Sequence, residues 1–222
     1  MRKTFHQRLD EITEDVIKMG SKVQKAVHSS IEAFIELNTD LAQKVIDGDE
    51  KIDESDISIE EKCIVLQAEH QPVARDLRYL HSVSIIIKYI ERIGDLAVNL
   101  SKIVKRLAKE QEKNVDKKII EILVEMGNLV KPMLDRALKS FENKDIKLAA
   151  RLEKSDDAVN KIQKRIFREL FTLYKRKANI KFITSIALAS RYLERIGDQS
   201  VNIGERVIYF SSGDYRVFRN SI

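Results

Sequence analysis

Helix breakers are scarce in this chain: 222 residues contain seven glycines and two prolines. That scarcity argues against an all-β protein and for long helices. Cysteine occurs once, at Cys63, which excludes an internal disulfide and a cysteine zinc site. The four histidines (His6, His28, His70 and His81) are scattered over the first half and read as surface or interface residues. No apolar run approaches the roughly 20 residues needed to cross a bilayer, and the first residues hold no apolar signal-peptide core. The expectation is therefore a cytoplasmic protein. Also missing are a glycine-rich phosphate loop, a G-x-S-x-G elbow and a Cys/His nucleophile pair, so the chain reads as a non-enzyme.

What is present is amphipathic and charged. Hydrophobic residues make up 43% and charged residues 34%, which together specify a globular protein with a heavily charged surface. The net charge of +5 reads as spread along helical faces and interleaved with acids. With no aromatic platform and no concentrated basic recognition helix, a specific nucleic-acid partner is not expected.

Apolar residues recur at three- and four-residue spacing throughout. Breaks fall at Asn38-Thr39-Asp40, at His70-Gln71-Pro72, in the polar stretch 109–116, at Asn143-Lys144-Asp145 and at Lys177-Ala178-Asn179. Six long helices are predicted, at 4–37, 40–70, 72–108, 116–142, 145–177 and 180–210, with Pro72 suited to a first turn. Short connections between long helices make antiparallel neighbours. The halves also repeat one another. Residues 81–100 and 184–203 align without a gap and share nine of 20 residues, and Met19-Gly20 is echoed by Met126-Gly127. The fold class expected is all-α, with two tandem, pseudo-symmetric three-helix bundles at 1–110 and 111–222.

The word ERIGD occurs twice, at 91–95 and 194–198, as KYIERIGDLAVNL and RYLERIGDQSVNI. Glu91, Asp95 and Asn99 lie at i, i+4 and i+8, a stripe drifting only about 80° over two turns. Glu194, Asp198 and Asn202 repeat it. The apolar side of the helix (Ile93, Leu96, Leu100, Val104) points away, so the acids are expected to face solvent or a shallow bundle edge. Like charges one turn apart cost a few tenths of a kcal/mol unless a cation intervenes. No Lys or Arg follows four residues C-terminal to either acid in either copy. Gly94 and Gly197 sit in helix interiors, where each costs up to about 1 kcal/mol relative to Ala. A glycine there permits close approach by another helix or a bound group.

The second helix of each half supplies further acids. Asp49 and Asp56 fall in the apolar seam Val45, Ile52, Ile59, Leu66, with Asp53 one turn from Asp49. In the other half, Asp156 and Gln163 interrupt the seam of Leu152, Val159, Ile166 and Leu170, and Asn160 stands where Asp53 stands. A carboxylate in an apolar seam must be paired, ligated or placed at an edge; Arg75 and Arg78 are candidate partners. If the two helices are neighbours, each half gathers oxygen ligands suited to hard cations such as Mg, Ca, Mn or ferric iron. A ferritin-like di-iron core is rejected, because the chain has no Glu-x-x-His. The same acids could instead form patches that dock basic protein partners on a helical scaffold without any metal.

Taken with Gln71-Pro72-Val73-Ala74-Arg75-Asp76-Leu77-Arg78 and Val207-Ile208-Tyr209-Phe210, these motifs resemble the PhoU family over about residues 5–213. The resemblance implies a non-enzymatic regulator that damps phosphate-specific transport and phosphate-starvation signalling when phosphate is plentiful. It implies multinuclear metal clusters, commonly iron, on the bundle surface. Carried over by position, the metal ligands are Asp49, Asp53, Glu91 and Asp95 in one half, and Asp156, Asn160, Glu194 and Asp198 in the other. The implied partners are the ATPase subunit of a phosphate ABC transporter and a membrane sensor histidine kinase, which would hold the protein at the membrane periphery. Exposed seams would also allow a homodimer. With Asn160 and Gln163 in place of acids, the second site is expected to be the less acidic.

Overall fold

The computed structural model describes residues 2–109, 116–176 and 178–214, all in helices and short connections. The expected boundary between halves, at 110/111, lies outside the described residues. The helices are α1 (Arg2–Glu36), α2 (Thr39–Asp47), α3 (Glu50–His70), α4 (Ala74–Lys109), α5 (Lys117–Asn143), α6 (Ile146–Lys175) and α7 (Ile180–Ser212). No described helix is long and apolar enough to cross a membrane.

Side-chain caps explain the starts of α2, α5 and α6. Asn38, Asp116 and Asp145 each accept from the backbone N–H three residues on, at 3.0, 3.3 and 3.0 Å, satisfying a donor the helix leaves free. Asn38 and Asp145 are therefore structural equivalents, each capping the second helix of its half.

Two boundaries differ from expectation. The predicted helix 40–70 is interrupted at Gly48-Asp49. Both residues keep right-handed dihedrals, and the Gly48 N–H is shared between the carbonyls of Lys44 and Val45. The result is a bend at a poor helix former. Its counterpart in the second half is Ser155, and α6 runs through it unbroken. The second difference is at Pro72, which lies outside the helix it was expected to start. Gln71 and Ala74 adopt φ of 45° and 47°, and α4 begins at Ala74.

In the first half α1, α2 and α3 pack on α4; in the second, α5 and α6 pack on α7. The halves meet through α4 against α7, the most extensive helix pair, and α1 against α5. One continuous apolar cluster runs through both. Tyr79, Phe141 and Phe210 from α4, α5 and α7 close one end of it, with ring centroids 5.0 to 6.3 Å apart. The echoed glycines fit the α1·α5 crossing. A Cβ on Gly20 would come 2.7 Å from Leu138, and one on Gly127 would come 2.9 Å from Ile31. Each helix seats one branched side chain where the other lacks one.

Candidate metal centres

Each ERIGD segment lies mid-helix, on α4 or α7, against the acid-bearing helix of its own half. Gly94 is buried, and a Cβ there would stand 3.3 Å from Ile52 Cδ1 and 3.6 Å from Asp49 Oδ1. Gly197 lies the same way under α6, 3.4 Å from Asp156 Oδ1 and 3.5 Å from Met133. The glycines therefore admit the neighbouring helix, and it arrives carrying a carboxylate.

In the first half Asp49, Asp53, Glu91 and Asp95 are brought together. Burial, then the charges of Asp53 and Asp95, raise the Asp49 carboxyl above its ordinary value, while Lys102 opposes them. Burial, then Asp95, Asp56 and Asp53, raise Glu91. In the second half Asp156 is raised by burial and Asp198, and Glu194 by burial, Asp198 and, more weakly, Asp156. Burial also raises Asp198. Carboxylates of two helices thus raise one another in each half.

The expectation that the acid stripes face solvent holds only in part. Asp95 is exposed and Glu91 half-buried, but Glu194 is 7% exposed and Asp198 half-buried.

Nor do the arginines meet the seam acids as expected. Asp56 is 7% exposed, and its partner is Lys88, whose Nζ donates to Asp56 Oδ2 at 2.6 Å and Glu60 Oε2 at 2.9 Å. Arg191 holds the equivalent position in the second half. There Gln163 and Phe167 replace Asp56 and Glu60, and the guanidinium turns instead to Glu194 Oε1. Asn160 Nδ2 donates to Asp156 Oδ2 at 2.8 Å. The first site thus gathers four carboxylates, with Lys88 drawn off to α3. The second gathers three, one of them already bound by Arg191. Lys88 and Arg191 were readable in sequence as the basic residue three positions before each ERIGD; what they pair with was not.

The donors suit a hard cation in kind, being all carboxylate or amide oxygens. Asp156 Oδ1 and Glu194 Oε2 are buried and accept no hydrogen bond, nor does Asp56 Oδ1 in the first half. Even so, no group of three acidic, His or Cys side chains among the described residues could hold a metal ion as the side chains stand.

Duplicated bundles with an acidic face on each long inner helix define a class of repeated all-α proteins. The PhoU domain model matches this chain twice, over residues 16–104 and 123–207, and the chain belongs to the PhoU family. It is 35% identical to the phosphate-specific transport system accessory protein PhoU homolog of Clostridium acetobutylicum, covering 96% of both chains. It is 31% identical to the PhoU of Escherichia coli, over 96% of this chain and 87% of that one. The crystal structure of PhoU from Pseudomonas aeruginosa superimposes with a TM-score of 0.89 at 33% identity, covering 95% of this chain and all of that one.

Proposed function

We propose that the protein is a metal-binding regulatory adaptor of phosphate-specific transport. Its relatives are accessory or regulatory proteins of that system. In this reading it acts in the cytoplasm and damps uptake and starvation signalling when phosphate is plentiful. It docks on the transporter's ATPase subunit and on a membrane sensor kinase.

The observation that carries the metal reading is the convergence of raised carboxylates from two helices over a glycine, twice in one chain. Asp49, Asp53, Glu91 and Asp95 would hold one cluster, and Asp156, Asn160, Glu194 and Asp198 the other. Iron is the metal the family resemblance favours, and other oxygen-preferring cations suit the same donors. A bound cation would supply positive charge that draws the carboxylates together, tying α3 to α4 and α6 to α7. The second reading, acidic patches that dock basic partners without metal, is favoured by the open arrangement of the side chains.

Elemental analysis of protein purified without chelator separates the two. Bound metal that falls when Glu91→Gln is combined with Asp95→Asn supports the first reading; trace metal unchanged by the pair leaves only the second. For the regulatory role, deleting the gene should switch on phosphate-starvation genes in abundant phosphate. Expression that stays off would refute it.

A further inference from the structure

The net charge, read from sequence as spread along helical faces and interleaved with acids, is uneven along the chain, and most of the excess falls between the second half of α6 and the first residues of α7. Residues 161–181 hold eight basic residues and one acidic, a net +7, while the whole chain is +5, so everything else sums to −2. The single acid, Glu169, is bound by Lys118 at 2.7 Å. Within the same segment Phe167, Phe171 and Tyr174 are 49%, 59% and 61% exposed. At about 100° per residue these three rings fall within an arc of about 60°, and Lys164, Arg168 and Lys175 occupy the adjoining arc of about 40°. Lys175 Nζ lies 4.6 Å from the centroid of the Phe171 ring, so the two rows touch.

The equivalent face of the first half is unlike it. There α3 carries Glu54, Glu60 and Glu61 around the exposed Ile57 and Ile64. A charged face of either sign solvates a helix equally well, so solubility does not account for the aromatic row or for the reversal of sign.

We propose that the outer face of α6 is a docking surface for an anionic lipid bilayer. The charge complementarity is with a surface rather than a pocket. The helix packs chiefly on α5 and α7, which leaves its rings and cations exposed on its outer face. A bilayer interface takes protruding aromatic rings into the headgroup boundary and neutralises cations wherever they fall. A protein partner would instead need acidic groups positioned to meet these cations. This attachment is direct, and so goes beyond docking through transporter or kinase subunits.

The test is co-sedimentation of the full-length protein with vesicles of phosphatidylglycerol mixed with phosphatidylcholine, against pure phosphatidylcholine. A chelator is included so that no metal bridges protein to lipid. Binding to the anionic vesicles alone is expected, and it should vanish at about 1 M salt, where the screening length is about 3 Å. Lys164→Gln, Arg168→Gln and Lys175→Gln together should weaken binding on the order of a hundredfold, since each cation near such a surface contributes about fivefold. Phe167→Ser, Phe171→Ser and Tyr174→Ser together should weaken it by at least about tenfold while leaving the salt dependence intact. These side chains are exposed, and circular dichroism of each variant is the control for folding. Ile57→Ser with Ile64→Ser on α3 should change nothing. Equal or absent binding to both vesicle types, or an α3 variant as weak as the α6 variants, would overturn the proposal. So would retention on polyglutamate without vesicle binding, which would assign the face to an acidic protein.

Discussion

Neutralising Glu91 and Asp95 together, as Glu91→Gln and Asp95→Asn, should stabilise the metal-free protein. Four like-charge pairs disappear: Glu91 with Asp95, Asp56 and Asp53, and Asp95 with Asp49. A like-charge pair at such spacing costs about 0.2–0.5 kcal/mol. The four come to about 1–2 kcal/mol, less a few tenths for the lost attraction of Arg92 to Glu91. At about 2–4 °C per kcal/mol for a chain of this size, Tm should rise by about 2–6 °C. The amide isosteres keep shape and hold helix propensity nearly constant, so the charge is what changes. The assay is thermal unfolding by circular dichroism after dialysis against chelator, repeated with iron or another oxygen-preferring cation added. With metal the order should invert, because wild type gains RT ln(1 + [L]/Kd), about 2.7 kcal/mol at a hundredfold excess over Kd, and the variant does not. Glu194→Gln provides an internal contrast. It removes a buried charge that Asp198 repels but also strips Arg191 of its carboxylate, so its gain in metal-free Tm should be smaller than that of the double variant. A metal-free double variant melting more than about 2 °C below wild type would refute the reasoning, because it would make Glu91 and Asp95 structural ion-pair partners.

Replacing Lys88 with Met should destabilise by about 2–4 kcal/mol, since Asp56 is left buried without its cation. Adding Asp56→Asn should recover much of that loss in a chemical-denaturation double-mutant cycle. Gly127→Ala should cost about 1–2 kcal/mol net, because a Cβ 2.9 Å from the stiff, branched Ile31 Cγ2 outweighs the helix-propensity gain of about 1 kcal/mol. Gly94→Ala, whose nearest contact is the flexible Ile52 Cδ1 at 3.3 Å, should stay within about 1 kcal/mol of wild type by the same denaturation assay. Cys63 is fully buried, and burial pushes its thiol up to about 11. It should resist thiol reagents near neutral pH in the native protein and react readily in denaturant, as followed by mass spectrometry.

The features legible in the sequence are those set within one helix or one turn. Apolar spacing located the long helices, and their ends followed from local caps such as Asn38 and Asp145. The i, i+4 geometry of Glu91 and Asp95 follows from helical pitch alone, and so does its repetition at Glu194 and Asp198. The likeness of the halves also made visible that the second site has Asn160 where the first has Asp53. The break at Gly48 was not read: the predicted helix 40–70 runs through it, whereas α2 and α3 divide there.

Only the tertiary structure decided how those residues are used. Lys88 and Arg191 occupy equivalent positions with nearly identical flanking words, yet one crosses to Asp56 and Glu60 and the other folds back onto Glu194. Long flexible cations go where a neighbouring helix offers an acid, and the neighbour lies more than 25 residues away along the chain. Glu194 is buried and Asp95 exposed for the same reason. Position on a helix fixes the direction in which a side chain leaves it; the packing of other helices fixes whether it meets water, a cation or another carboxylate.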